Sequence, residues 1–214
     1  MKKTKLLTVL LTALCIFTLT ACGESIDPAV YAAGTLEANF HGNISEEYAS
    51  AIGISTDKLE KQYNEAIDTY AAEQIAAMDI TAPTEEMTAN TRDMYVNVYA
   101  NTKFEVAEEY TEGENGEYFV TVTAYPLVSF KDIISDKDGS LTAALAEAYT
   151  ADRTYEDIVI LSLEMIIDAM NKAMEAPVYG DPITFELKIA PDDNGDLAID
   201  SEQLLELENI LLGY

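Results

Sequence analysis

The chain has 214 residues, and its 39 Asp and Glu against 12 Lys and Arg give a formal net charge of −27. This charge makes nucleic acid an unsuitable partner, because binding to phosphates requires a basic surface that releases counterions. It also means that charge alone would not hold the protein on an anionic envelope surface. The two cysteines, Cys15 and Cys22, both lie near the N-terminus, so we expect no disulfide in the rest of the chain.

The first 22 residues follow the order of a secretory signal peptide. Three lysines among the first five residues precede an apolar run over residues 6–19. At about 14 residues, this run is shorter than the roughly 20 residues that a transmembrane helix needs. The run ends in a segment that resembles the lipobox of bacterial lipoproteins, Leu19-Thr20-Ala21-Cys22.

The resemblance to a lipobox implies how the N-terminus is processed. In that family a diacylglyceryl group is added to the Cys sulfur and the bond before the Cys is cleaved, which here assigns lipidation to Cys22 and cleavage to the Ala21–Cys22 bond. Two fatty-acyl chains of the palmitate kind anchor a protein stably, whereas one binds only marginally. The alternative is an ordinary secretory signal peptide that happens to be followed by a Cys.

Three segments follow from this processing. We predict a lipoprotein signal peptide over residues 1–21, a lipidated Cys with a short tether over residues 22–26, and one domain over residues 27–214. The mature chain would keep 39 acidic but only 9 basic side chains, a net charge of −30, since three lysines leave with the signal peptide. Its predicted location is the outer face of the cell membrane, where the lipid holds it.

The first third of the domain has the 3.6-residue spacing of amphipathic helices. Residues 45–50 predict a short additional helical turn, and Gly42 marks the end of the first helix. The expected N-caps of the three main helices are Asp27, Ser55 and Thr84.

The apolar spacing then changes to two residues, which indicates strands. Pro126 is expected to end the first hairpin, and Asn194-Gly195 is typical of a tight hairpin turn in the second. The predicted strands are 103–110 with 118–125 and 183–189 with 197–199.

Three further helices are predicted around the second hairpin. A short one covers residues 141–149, and a final one begins after Asp200 or Ser201 and continues through Leu212. The helix that follows Thr154 is apolar nearly all round, so we expect it at the buried centre of the domain. The predicted fold class is therefore α+β, a curved antiparallel sheet of about four strands in two hairpins, packed by about five to six helices.

Several short segments are similar to small surface lipoproteins of low-GC Gram-positive bacteria. These segments are Asp27-Pro28-Ala29, Leu36-Glu37-Ala38, Phe40-His41-Gly42, Ile54-Ser55, Tyr63, Glu117 to Val122, and the terminal hairpin and helix. The resemblance implies a cone of the nuclear-transport-factor-2-like or cystatin-like kind. The function of those lipoproteins is unknown, so the resemblance implies no catalytic residue.

Catalytic and cofactor signatures are sparse in this sequence. His41 is the single His, so any hydroxyl–His–carboxylate device would have to use it, but its place beside Gly42 suits a helix C-terminus. No nucleophile elbow or Gly-rich phosphate loop occurs, and the mature chain has no Cys/His spacing for zinc. We therefore predict no catalytic residue, no metal and no cofactor.

Two acidic loops invite a calcium interpretation. With Gly195 at the sixth position of an EF-hand loop, Ala190 and Ser201 would fall at the first and twelfth positions, where carboxylates are needed. The stretch that ends at Gly139 fails similarly, because Ile134 falls at the first position. Both loops are better interpreted as turns, although weak calcium binding by clustered acids stays open.

One pair of carboxylates stands apart from the other acids. Glu164 and Asp168 lie four residues apart on the apolar helix, hence on one face of it. If both were buried, one would have a raised pKa and could act as an acid in glycosidase-like chemistry. The alternative is that they form the solvated edge of the helix.

Three functions are compatible with these observations. The preferred one is a non-enzymatic, lipid-anchored module that binds a small ligand, an envelope component or a protein partner. A carboxylate-dependent hydrolase would instead need a deep pocket with two carboxylates of different pKa. A structural subunit of an envelope complex would need a contiguous exposed apolar patch.

Overall fold

The computed structural model describes residues 26–149, 153–192 and 195–214. The predicted signal peptide and lipobox, with Cys22, lie outside the described residues. The helices are α1 Pro28–Leu36, α2 Glu46–Ala51, α3 Thr56–Ala77, α4 Glu85–Ala100, α5 Val128–Ile134, α6 Ser140–Ala148, α7 Tyr155–Met174 and α8 Ser201–Leu211. The strands are β1 Lys103–Glu112, β2 Tyr118–Tyr125, β3 Ile183–Pro191 and β4 Leu197–Ile199.

These elements confirm the predicted α+β class and its two hairpins. The described residues form eight α-helices where five or six were expected. One of the two additions is α2, predicted only as a helical turn, and the other is α5, which was not predicted. The predicted boundary of the domain at residue 27 stays a prediction.

The N-terminal helix begins and ends where its sequence requires. The carboxylate of Asp27 accepts hydrogen bonds from Ala29 N at 2.8 Å and Val30 N at 3.2 Å, and Pro28 fills the first turn. The helix continues as a π-helical turn over Glu37–His41 and stops at Gly42, whose φ is 65°. This left-handed conformation favours glycine, since a side chain would be strained there.

The four strands form one antiparallel sheet in the order β1-β2-β3-β4. The two predicted hairpins are joined by long pairing of β2 with β3, from Tyr118 opposite Ile189 to Ala124 opposite Ile183. A bulge interrupts β1 between Val106 and Tyr110. Bulges and charged side chains on edge strands discourage pairing with other chains, and β1 carries both.

One face of this sheet forms the centre of the core. Helices α1 and α8 pack against it, and α4 contacts both the π-helical turn and α8. The buried side chains of the sheet are Val120, Val122, Ala124, Leu187, Ile189 and Ile199. On the opposite face, Glu105, Thr121 and Glu186 are exposed, as the alternation of apolar and polar residues predicts.

The expectation that α7 lies at the buried centre is wrong. This helix begins with the predicted cap at Thr154, which forms a capping box with Asp157. It packs on α4, α5 and α6 through one stripe, Leu163, Ile167, Met170 and Met174. The N-terminal half, including Ile158 and Leu161, is only half-buried. The inner face of the sheet, with α1 and α8 packed on it, provides the centre instead, because its side chains are fully buried whereas α7 buries only one stripe.

Helix α5 carried no signal that a sequence pattern could detect. It follows Pro126 directly, lacks a side-chain N-cap and buries a single side chain, Phe130. Tertiary contacts hold it: Leu127 N donates to Leu211 O at 2.7 Å, which links its start to the C-terminal helix. Such a contact between distant segments overrides local propensity.

Candidate functional site

The single His connects the first helix to the sheet. His41 ends the π-helical turn, and its ring stacks on Phe104 of β1 with centroids 4.9 Å apart. Nδ1 lies 3.0 Å from the Glu37 carboxylate, and Nε2 lies 3.0 Å from the carbonyl oxygen and 3.1 Å from the hydroxyl of Thr102. The order of hydroxyl, imidazole and carboxylate is that of a catalytic triad.

The hydrogen bonds do not support catalysis at this group. A carbonyl oxygen can only accept, so the Nε2 that faces the Thr102 carbonyl carries a hydrogen and cannot take the proton of the hydroxyl. That hydroxyl already donates to Tyr99 O at 2.8 Å, and Thr102 is 5% exposed. His41 therefore acts as a structural clamp between the π-helical turn and β1.

The carboxylate pair singled out on α7 lies in solvent. Both Glu164 and Asp168 are exposed. Their place is the solvated edge of the helix, and the hypothesis of a buried acidic pair there is wrong.

A different carboxyl group is buried. Glu208 of α8 is 1% exposed, and the hydroxyl of Tyr99 on α4 donates a hydrogen bond to it. Burial raises the pKa of Glu208 to about 7, although the hydrogen bond from Tyr99 acts in the opposite direction. Glu208 was not predicted as a site residue, but its sequence carries a signal, because it falls on the same helical stripe as Leu204, Leu207 and Leu211.

Aromatic rings surround the Glu208–Tyr99 pair. Tyr70, Tyr95 and Tyr99 lie with ring centroids 6.1 to 6.5 Å apart, and Phe40 stacks on Tyr99 at 6.4 Å. Tyr95 donates to the side chain of Gln74 at 3.2 Å. These tyrosines are core residues, as the helical spacing predicted.

Surface depressions lie elsewhere. One of about 500 Å³ between α1 and α2 is lined by Val30, Ala33, Ile44 and Tyr48 among others. Another of about 470 Å³ lies beside α5 and α6. Glu208 lines neither of them.

The two acidic loops use their carboxylates as hydrogen-bond acceptors. Asp136 accepts from Leu141 N at 2.9 Å and Thr142 N at 3.0 Å, so it caps the start of α6. In the other loop, Asp196 N donates to Asp192 Oδ1 at 2.9 Å, while Asp193 and Asn194 lie outside the described residues. Within the described part of the chain, His, Cys, Asp and Glu form no group of three that could hold a metal ion.

The outer face of the sheet is an accessible polar and aromatic surface. The Lys103 ammonium lies 4.2 Å from the ring centroid of Tyr125 and 5.9 Å from that of Tyr179. The Tyr125 hydroxyl donates to Glu105 at 3.0 Å. Exposed residues continue across the sheet to Glu186 of β3. We call this outer face, with Lys103, Glu105, Tyr125 and Tyr179 at one end, the outer sheet surface.

A side-chain amide forms hydrogen bonds with the backbone of β3 beyond the end of the short strand β4. Gln203 of α8 accepts from Lys188 N at 2.8 Å and donates to Lys188 O at 3.1 Å. These are the two backbone groups that a longer β4 would have paired. The Lys188 ammonium lies 2.6 Å from Glu117.

The fold has a counterpart among solved structures. The chain is similar to YcdA of Bacillus subtilis, provisionally described as a lipoprotein, with a TM-score of 0.58 and 16% identity. The match covers 86% of this chain but 56% of YcdA, so the chain spans little more than half of that protein. At this identity the likeness shows the fold alone. No family model and no curated protein matches the chain.

Within residues 26–149, 153–192 and 195–214, none of the helices combines the length and the apolar content that crossing a bilayer requires.

Proposed function

We propose that this chain is a lipid-anchored, extracytoplasmic, non-enzymatic binding module. The anchor is Cys22, the lipidated residue that the Leu19-Thr20-Ala21-Cys22 lipobox implies. The likeness of the fold to a Bacillus subtilis protein described as a lipoprotein supports this assignment. The acidic surface keeps the domain soluble, while the lipid keeps it at the membrane.

The observation that carries the binding role is the outer sheet surface. It offers the ring of Tyr125, the Lys103 ammonium and the Glu105 carboxylate on the neighbouring strands β1 and β2, with the half-buried ring of Tyr179, from the segment before β3, beside the lysine. Aromatic rings beside charged groups bind ligands that combine an apolar face with hydrogen-bonding groups, such as sugars and peptides of the envelope.

A thermal-shift screen tests the binding role. The chain from Gly23 onward would be tested with cell-wall fragments, sugars, amino acids, short peptides and divalent ions. A ligand at 100 times its Kd should stabilise the fold by about 2.7 kcal/mol. Tyr125→Ala and Lys103→Ala should abolish the shift, whereas Lys61→Ala, a control on an exposed face of α3, should leave it unchanged. If a ligand stabilises both variants as much as the wild type, its binding site lies elsewhere than on this surface.

The anchor has its own test, which does not depend on the ligand. Cys22→Ser should leave an uncleaved, unlipidated precursor or release the protein, as seen by metabolic labelling with a fatty acid and by fractionation. If the variant is cleaved normally and remains in the membrane fraction, the lipoprotein assignment is wrong.

A structural subunit of an envelope complex is the second candidate. Its contact residues would come from the large apolar side chains that remain exposed, which are distributed over several elements: Val30, Tyr149, Tyr155, Val178, Ile183 and Tyr214. Crosslinking on intact cells would then capture a defined neighbour through Tyr149 or Tyr155 rather than through the outer sheet surface.

A hydrolase is the third candidate, since a carboxyl group with a pKa near neutrality is typical of a catalytic acid. Glu208 has such a pKa, but it lies on the buried side of α8 and is only 1% exposed. Turnover of a cell-wall substrate that disappears in Glu208→Gln with the fold intact would favour this candidate.

A further inference from the structure

We propose that Glu208 and Tyr99 form a proton-operated latch that holds helix α8 against the helical layer. The latch is independent of the binding function proposed above. Protonated Glu208 keeps α8 closed over the tyrosines of α3 and α4. Ionised Glu208 favours opening of the last turns of α8, where its carboxylate can reach water.

The geometry places one carboxyl group at the seam between two elements. Glu208 projects from α8 toward α4, where the Tyr99 hydroxyl donates to it, and both residues are 1% exposed. Leu204, Leu207 and Leu211 pack on either side along the same stripe of α8. A protonated carboxyl fits this site as a neutral group, whereas a carboxylate there would have a single described donor and little solvent.

The titratable groups around the site do not offer a counter-ion. On α4, Tyr99 and Tyr95 face the Glu208 carboxyl. On α3, the ring of Tyr70 packs against that of Tyr99, and burial together with the charge of Glu73 raises the pKa of Tyr95. Tyr214 approaches Tyr95 from the C-terminus. The buried side chains of β2 and β3, the two strands that α8 contacts, are all apolar: Val120, Val122, Ala124, Leu187 and Ile189. Among the described residues, no Lys or Arg acts on the Glu208 carboxyl, so nothing nearby stabilises its ionised form.

The direction of the pH effect follows from the pKa. Burial raises the pKa of Glu208 from 4.5 to about 7 in the closed state, and opening would restore the ordinary value. The closed state therefore binds more protons than the open state between these two values, and its advantage falls as the pH rises. At tenfold per pH unit, the equilibrium constant for opening should increase about 70-fold between pH 5 and pH 8.

Opening would release contacts beyond the carboxyl itself. The Leu211 carbonyl accepts from Leu127 N at the start of α5, and Phe130 of α5 packs edge-on against the Tyr214 ring at 6.0 Å. Undocking the end of α8 would therefore loosen α5 as well. A protein exposed at the cell surface would in this way transmit the external pH to two helices.

Hydrogen exchange on the mature lipidated chain in detergent tests the latch. After correction for the intrinsic pH dependence of exchange, amides of residues 204–212 should open about 70-fold more at pH 8 than at pH 5. Glu208→Gln should remove most of this dependence. Tyr99→Phe removes the hydrogen bond that favours the ionised carboxyl while the burial remains, so the pH dependence should persist and shift to higher pH. Amides of α1, which is capped by Asp27 at the opposite end of the chain, serve as the internal control.

Two results would overturn the latch. The first is the same pH dependence of α8 exchange in Glu208→Gln and in the wild type. The second covers the case in which the variant does not fold: a carbon-13 NMR titration of wild-type Glu208 with a midpoint near 4.5 shows that the closed state does not hold the proton.

Discussion

The clamp formed by His41 gives the sharpest test of the fold, because one substitution preserves its packing and removes its polar contacts. His41→Phe keeps a flat ring against Phe104, where the present rings lie 4.9 Å apart. It removes the contact with Glu37 at 3.0 Å and the contact with the Thr102 carbonyl at 3.0 Å. The measured loss of stability therefore reports the hydrogen bonds rather than the stacking.

The magnitude follows from the exposure of the two partners. Thr102 is buried, so its carbonyl loses a partner at a cost of about 1 to 2 kcal/mol. The side chain of Glu37 is 38% exposed, so solvent screens its pair with His41 and the contribution falls to about 0.5 kcal/mol. We expect His41→Phe to reduce the free energy of unfolding by about 2 kcal/mol, or roughly 4 to 8 °C in Tm.

Urea unfolding followed by circular dichroism is the assay, with tyrosine fluorescence as a second probe because the chain has no Trp. The midpoint should fall while the slope m stays constant. Glu37→Gln is the matched control and should cost less than 1 kcal/mol. A change below 0.5 kcal/mol in His41→Phe would refute the clamp, as would an equal cost for both variants, which would locate the whole effect at the exposed pair.

Three further predictions concern packing, capping and pH. Gly34→Ala should destabilise by about 2 to 3 kcal/mol in thermal unfolding, because the new Cβ would lie 2.2 Å from the Tyr48 ring; an unchanged Tm would mean that α1 and α2 separate easily. Thr154→Ala should cost about 1 kcal/mol by loss of the capping box, measured in urea, and an unchanged midpoint would contradict the cap. The free energy of unfolding of the wild type relative to Glu208→Gln should fall by about 3 kcal/mol as the pH rises from 4.5 to above 7, because the folded state holds the extra proton; a constant difference would contradict the raised pKa.

Much of the fold was predictable because local rules fix the ends of its elements. The capping side chains of Asp27, Ser55 and Thr84 accept hydrogen bonds from the first turns of α1, α3 and α4, as predicted. Alternating residues correctly separated the buried and exposed faces of β2. These features depend on neighbours within about four residues, so a local pattern contains all the information needed.

Helix α7 shows where a local pattern is insufficient. Its apolar sequence correctly predicted a helix, but composition does not say how many sides of that helix are covered. Coverage depends on which elements pack around it, and α7 has α4, α5 and α6 on its sides while α1 and α8 occupy the sheet. Apolar residues such as Ile158 therefore remain half-buried. This excess of apolar surface is one reason to keep an interaction partner among the candidate functions.

The two polar contacts with the largest consequences join segments that are far apart in the chain. His41 meets Thr102 across 61 residues, and Tyr99 meets Glu208 across 109. No periodicity could have paired them. One residue of each contact nevertheless has an unusual position in the sequence pattern, since His41 lies at a helix end and Glu208 lies on the apolar stripe of α8. An acidic residue on the buried side of an amphipathic helix must find a donor or keep its proton. Here Glu208 has the Tyr99 donor and a pKa raised to about 7, so among the described residues this buried carboxyl is as strong a candidate for a functional group as the exposed carboxylates.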